Sequence, residues 1–151
     1  MDLTTTYPRS PKDRLAGLVS LKRVIDKAKA SNAGSLGEYH YDCPHDRPLF
    51  DFLGVDAQTF AGRVRDLQTD EAIGQWVSDQ YLKRKSQDEI DAFNYARMHW
   101  SPEPGSDSKK FFDSERERLG RPDLQTWFDL LDVDEGREVR DPTVLHAGVS
   151  G

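Results

Sequence analysis

The sequence predicts a mainly α fold, a small single-domain bundle of about five to seven helices with one short extended segment over residues 36–43. Two observations carry this. Apolar residues recur at spacings of three and four through most of the chain, and most runs are bounded by a capping residue or a glycine. Alternation with a period of two is confined to one stretch, Leu36 to Cys43. At 151 residues one domain is the simplest organisation. The reading places that domain at 1–133, with an N-terminal arm over 1–11 and a C-terminal tail over 134–151.

The arm comes first. Pro8 and Pro11 hold Tyr7 and Ser10 extended, because a residue before proline avoids the helical region. Tyr7 is the aromatic anchor expected to dock it. A first helix is expected from about Lys12 to Ser31, with Leu15, Leu18, Leu21, Val24, Ile25 and Ala28 on one stripe. Gly17 weakens its start, so the helix could instead begin after it and leave 12–17 as a turn. Asn32 and Gly34 tolerate the left-handed conformation that ends a helix.

Residues 36–43 alternate Glu38, His40 and Asp42 with Tyr39, Tyr41 and Cys43. A strand leaves amides to be paired. Thr143 to Leu145, or the same segment of a second subunit, are the candidate partners. Six more helices are expected beyond Pro44: about Arg47 to Leu53, one capped by Asp56, one capped by Thr69, one opened by a Ser86–Glu89 capping box, one begun at Ser106 or Asp107 and closed by Gly120, and a last begun at Pro122 or Asp123. The tail is expected to be ordered only if Val144 and Leu145 dock.

Composition narrows the function classes. Charged residues make up 32% of the chain and hydrophobic ones only 36%, which suits a soluble protein with a lean core. The net charge of −6 offers no global basic footprint for nucleic acid, which ranks below the other partners considered. Charge is uneven, however. The stretch from Arg9 to Lys29 carries +5 and the remainder −11. A single cysteine forms no internal disulfide, so a cytoplasmic, reducing compartment is expected. No run approaches the roughly 18 apolar residues of a membrane helix, and the N-terminus lacks the apolar run of a signal peptide.

Several short motifs then stand out in order. They are Tyr-Pro-Arg-Ser-Pro at 7–11, Leu-Ala-Gly-Leu at 15–18, Val-Ile-Asp-Lys-Ala at 24–28, Gly-Glu-Tyr at 37–39, Tyr-Asp-Cys-Pro at 41–44, Phe-Leu-Gly at 52–54 and Trp-Phe-Asp-Leu-Leu-Asp at 127–132. In this order and spacing the chain resembles an uncharacterised family of small bacterial proteins, domain of unknown function 5069. The resemblance implies no particular activity. In that family's pattern Cys-Pro is followed by Leu-Asp. Here His45 stands in the leucine place, which speaks against His45 as part of a shared metal site.

Candidate chemistry concentrates at the front of the chain. His40, Cys43 and His45, with Asp42 and Asp46, are zinc-ligand types, but their spacing matches no zinc motif and alternation sets His40 opposite Cys43. No metal or other cofactor is therefore called for. Cys43 could be a reactive thiol if it faced Arg9 and Arg14, or simply a buried small hydrophobe. The acidic run from Asp129 to Glu135 lacks calcium-loop spacing. Trp76, Trp100 and Trp127 lie on apolar stripes and read as core or interface.

The positive expectation is a binding or catalytic pocket for a small anionic ligand, formed by the arm, the first helix and the 37–46 segment. Its candidate residues are Tyr7, Arg9, Arg14, Arg23, Lys27, Glu38, Tyr39, Tyr41, Cys43 and Asp46. Arginine forks bind carboxylate or phosphate in a bidentate way, and tyrosines add stacking and hydroxyl contacts. The structural alternative has Arg9 and Arg14 pairing with Glu38 and Asp46 to pin the arm and the segment to the first helix. The functional alternative is a non-catalytic interaction module, or a homodimer joined through the extended segment, with exposed apolar residues such as Tyr81, Tyr95 or Trp100 as the contact.

Overall fold

The helix that the basic stretch runs into, α1 (Leu21–Ala33), is the spine of the first half of the molecule. Leu21, Val24, Ile25 and Ala28 form the apolar stripe read from the sequence, and all are buried. The opposite face is buried too. Arg23, Asp26 and Lys27 have almost no exposed surface, so this helix carries its charges into the interior and each must find a partner there.

The computed structural model describes residues 1–140. After α1 follow α2 (Arg47–Leu53), α3 (Ala57–Leu67), α4 (Asp70–Gln80), a short 3₁₀ turn (Leu82–Arg84), α5 (Gln87–Met98), α6 (Asp107–Leu119) and α7 (Trp127–Asp134). The fold is mainly α, with no β-strand among the described residues. The chain divides into two compact units, one from Met1 to Phe93 and one from Asn94 onward. No helix of the described residues is long and apolar enough to cross a membrane.

In the first unit α3 packs along α1, and α4 packs beside α3. Tyr41, Phe50, Phe60, Trp76 and Tyr81 form a chain of ring contacts with centroids 5.3–5.9 Å apart, tying α2, α3 and α4 together. In the second unit Phe112, Leu124, Trp127 and Leu130 make a small core, edged by Trp100, Leu119 and Val133.

Capping explains most boundaries. Asp56 accepts from the Thr59 amide at 2.7 Å, and Thr69 from the Ala72 amide at 3.2 Å. Ser86 and Glu89 form the expected reciprocal box, and Ser106 accepts from the Lys109 amide at 3.1 Å.

Four expectations are corrected. The first helix does not begin at Lys12; of the two starts read from the sequence, the one after Gly17 holds, with α1 opening at Leu21. Leu15 and Leu18 exchange both backbone hydrogen bonds, at 3.1 and 2.9 Å, across Ala16 and Gly17, whose φ values are +55° and +77°. This two-residue reverse turn needs positive φ at both central positions, which no helix can supply. The Leu15–Leu18 spacing of three fits either structure, so periodicity alone could not separate them.

Residues 36–43 are not a strand. The Tyr39 amide donates to Leu36 O at 3.0 Å, closing a turn, and Gly37 and Asp42 both have positive φ. The segment is bent rather than extended because it hugs the arm. A Cβ on Gly37 would lie 3.0 Å from Leu3 O. Its proposed partner strand, Thr143 to Leu145, and the docking of Val144 and Leu145 lie outside the described residues.

The arm docks, but Tyr7 is not its anchor. Tyr7 is 55% exposed, whereas Leu3, Pro8 and Ser10 are buried and the Leu3 amide donates to Ser35 O at 2.9 Å. An extended arm alternates its sides, and the inward side falls to Pro8 and Ser10.

The last helix starts at Trp127 rather than Pro122 or Asp123. Arg116 Nη1 takes Pro122 O at 3.0 Å and Leu124 O at 3.1 Å, and Arg121 grips Asp123 with two bonds of 2.9 Å. These carbonyls are held out of a helical ladder. Thr126 then caps α7 by accepting from the Asp129 amide at 3.2 Å. Past α7, Arg137 bonds Glu135 Oε1 at 2.5 Å, and its amide donates to Asp132 O at 2.7 Å, which fixes the first residues beyond the helix.

Candidate functional site: an arginine-floored cleft

The buried charges of α1 each meet a countercharge from a different element. Asp26 receives the arm. The Arg9 backbone amide donates to Asp26 Oδ2 at 2.8 Å, Nε donates to the same oxygen at 3.1 Å, and Nη2 donates to Oδ1 at 3.0 Å. The proline-restricted backbone around Arg9 presents both donors to one carboxylate. The outer side of the same guanidinium meets Asp70, at the start of α4, with Nη1 to Oδ2 at 2.5 Å and Nη2 to Oδ1 at 3.0 Å. Arg9 therefore joins the arm, α1 and α4 through one group. Its pKa lies above the ordinary arginine value, chiefly because of the hydrogen bond to Asp70 and, against a burial penalty, that to Asp26. The Arg9 hydrogen bond in turn holds Asp70 below its ordinary 3.8, with the charges of Arg9, Lys29 and Lys22 adding to it.

Lys27 turns the other way. Its ammonium lies 2.8 and 2.9 Å from the two oxygens of Asp46 and donates to Cys43 Sγ at 3.3 Å. Asp46 precedes α2 yet makes no side-chain cap, because its carboxylate is turned to Lys27. It also accepts from the Cys43 amide at 3.3 Å. The half-buried Cys43 thus belongs to a filled ion-pair site whose cation is a lysine. Among the described residues no three His, Cys, Asp or Glu side chains gather as a metal would need.

The remaining candidates scatter around these two pairs. Arg23 donates to Arg9 O at 3.2 Å and lies 5.7 Å from the Tyr39 ring centroid, so it links arm, helix and segment. The Tyr41 hydroxyl donates to Ala57 O at 2.6 Å; burial, and then the charges of Asp46, Asp42 and Asp56, push its pKa up. Arg14 is partly buried, with Nε lacking a hydrogen-bond partner. Glu38 is exposed. The pairing of Arg9 and Arg14 with Glu38 and Asp46 does not form as expected: Arg9 takes Asp26 and Asp70, and Asp46 takes Lys27.

An open cleft of about 740 Å³ lies over Arg9. The arm contributes Thr6, Tyr7 and Arg9, α1 contributes Asp26 and Lys29, and the approach to α4 contributes Gln68, Thr69, Asp70 and Glu71. Of the ten sequence candidates, Tyr7 and Arg9 line it. The other eight do not line it, and neither does the rest of the 37–46 segment; of them Arg23 reaches the floor by donating to Arg9 O. Lys29 makes no ion pair among the described residues, unlike Arg9. Gln68 holds φ at +68° with ψ at −45°, an uncommon conformation for a side-chain-bearing residue.

Sequence reasoning missed Lys29, Gln68, Thr69, Asp70 and Glu71. Lys29 was visible only as one charge in the basic stretch. Asp70 lies 61 positions from Arg9 and looked like part of a helix start. No local pattern links a residue of the arm to one that follows a cap.

Comparison with curated proteins gives no match. The motifs at 7–11, 15–18, 24–28, 37–39, 41–44, 52–54 and 127–132 all fall inside the span that matches a family model, residues 5–137, and over that span the chain belongs to the family described as Domain of unknown function (DUF5069).

Proposed function

We propose that this protein binds a small anionic molecule in the cleft between the arm, the end of α1 and the start of α4. The observation that carries the reading is Lys29. It stands on the cleft wall beside Arg9 and makes no ion pair among the described residues. A lysine ammonium is a compact charge on a flexible stem, suited to an anion of varied shape. Tyr7, 55% exposed, offers a ring face to the body of such a ligand, and Thr69 adds a hydroxyl. The other cleft cation, Arg9, lies on the floor with its carboxylates already in place.

Binding of inorganic phosphate and of succinate, followed by titration calorimetry and by amide shifts of Thr6, Tyr7, Arg9 and residues 68–71, tests the reading. Lys29→Ala removes binding while leaving the melting temperature within a few degrees, because the side chain holds no structural pair. Unchanged binding in that variant sinks the proposal.

A second reading, association with another protein or a second copy, is favoured by Tyr95 and Phe111, which are 68% and 57% exposed. Sedimentation velocity on the wild type and on Tyr95→Ser with Phe111→Ser decides it: a strict monomer in both removes self-association.

A further inference from the structure

We propose that the ligand of this cleft is a carboxylate, and that it binds by taking the place of the Asp70 carboxylate on the Arg9 guanidinium. This rests on the reading of the cleft as an anion site.

The two partners of Arg9 are not equivalent. The Asp26 side chain is 2% exposed and lies within α1. It accepts three bonds from Arg9, one of them from the backbone amide. Removing Arg9 from it would leave a buried carboxylate without its cation. Asp70 is 33% exposed, accepts two bonds, and lines the cleft. It also occupies the first position of α4, after the Thr69 cap. A carboxylate there remains in the favourable field of the helix N-terminus after it lets go of Arg9, so its release costs little. The outer face of Arg9 is therefore the exchangeable one.

Asp70 also shows the shape of the group that fits. Two guanidinium nitrogens, Nη1 and Nη2, meet two oxygens of one planar group at 2.5 and 3.0 Å. An arginine fork accepts carboxylate or phosphate, and the group this one is set to hold, in the Asp70 side chain, is a carboxylate. Lys29 stands on the same wall and receives a second anionic group, so a dicarboxylate uses both cations. Asp70 competes from within the chain at high effective concentration, which lowers the apparent affinity by the fraction of molecules whose fork is open.

Titration calorimetry of the full chain with succinate and with inorganic phosphate tests this. Asp70→Ala binds succinate about three- to fivefold tighter than wild type, the size expected for removing a bidentate pair that is one-third exposed. Glu71→Ala removes the same charge from the same turn but makes no bond to Arg9, and stays within about twofold of wild type. Adding Arg9→Lys to Asp70→Ala keeps the charge, loses the fork and cancels the gain.

An equal gain in Glu71→Ala, or none in Asp70→Ala, overturns the exchange. A gain for phosphate equal to that for succinate overturns the carboxylate assignment. If Lys29→Ala loses wild-type binding while Asp70→Ala gains nothing, the cleft stands and the exchange fails. If neither wild type nor Asp70→Ala binds either probe, both readings fail together.

Discussion

Lys27 and Asp46 form an ion pair inside the first unit, with the ammonium 2.8 and 2.9 Å from the two carboxylate oxygens and both side chains at or below 5% exposure. Asp46 gives up its place as the cap of α2 to make it. The pair fastens the 37–46 segment to α1, which no sheet does among the described residues.

Breaking that pair from either side leaves one buried charge alone. Asp46→Asn and Lys27→Met are each expected to lose about 3–5 kcal/mol of unfolding free energy. The double variant, Lys27→Met with Asp46→Asn, is expected to lose clearly less than the sum, since neither charge is then stranded. Urea unfolding of the four proteins measures the coupling. Additive losses would show that the two groups do not depend on one another.

The Arg9–Asp70 pair gives a pH dependence of known sign. Arg9 holds Asp70 below 3.8, so the unfolded chain takes up that proton first as pH falls. The stability this contributes is complete above the ordinary value of 3.8 and is lost as pH drops through the lowered folded value. Because the side chains are each one-third exposed, the contribution is under about 1 kcal/mol. Asp70→Asn should be less stable than wild type at neutral pH, and the gap should close below pH 3.8. Denaturant midpoints across that range check it; a gap that widens on acidification contradicts it.

Gly37 is held to glycine by two independent constraints. Its φ is +62°, and a Cβ would come within 3.0 Å of Leu3 O. Gly37→Ala is expected to cost about 1–3 kcal/mol and to loosen the arm. Faster cleavage near Leu3 under limited proteolysis reads the loosening directly. Wild-type proteolysis would mean that the arm does not lie against Gly37.

The start of α7 is decided by Thr126. Thr126→Ala is expected to lose about 1 kcal/mol, the usual worth of a threonine cap. Asp123→Ala, at the start read from the sequence, should leave α7 intact, because Asp123 pairs with Arg121 outside the helix. Amide exchange of residues 127–131 compares the two; greater loss in Asp123→Ala would move the helix start back.

Helices were legible wherever a local cap and a stripe agreed. Asp56, Thr69, Ser86 with Glu89, and Ser106 with Gly120 each act within a few residues, so sequence alone held what was needed. Tyr39 with Leu36, and Arg116 with Pro122 and Leu124, were not legible in that way, and the turn at Ala16 and Gly17 stood only as the alternative to a helix begun at Lys12. Their conformations are set by reverse-turn bonds or by a side chain from another element, which periodicity does not encode.

The same division runs through the cleft. The sequence by itself determined that Arg9 sits on a proline-restricted arm, that the front of the chain is basic, and that family membership follows from motifs spread over most of its length. Only the tertiary structure decided which carboxylates meet which cations. Charge pairing in a folded interior depends on which elements are brought into register, and a single charge among many looks alike in sequence whatever its partner. Arg9 found Asp26 and Asp70, Lys27 found Asp46, and Lys29 was left facing the cleft.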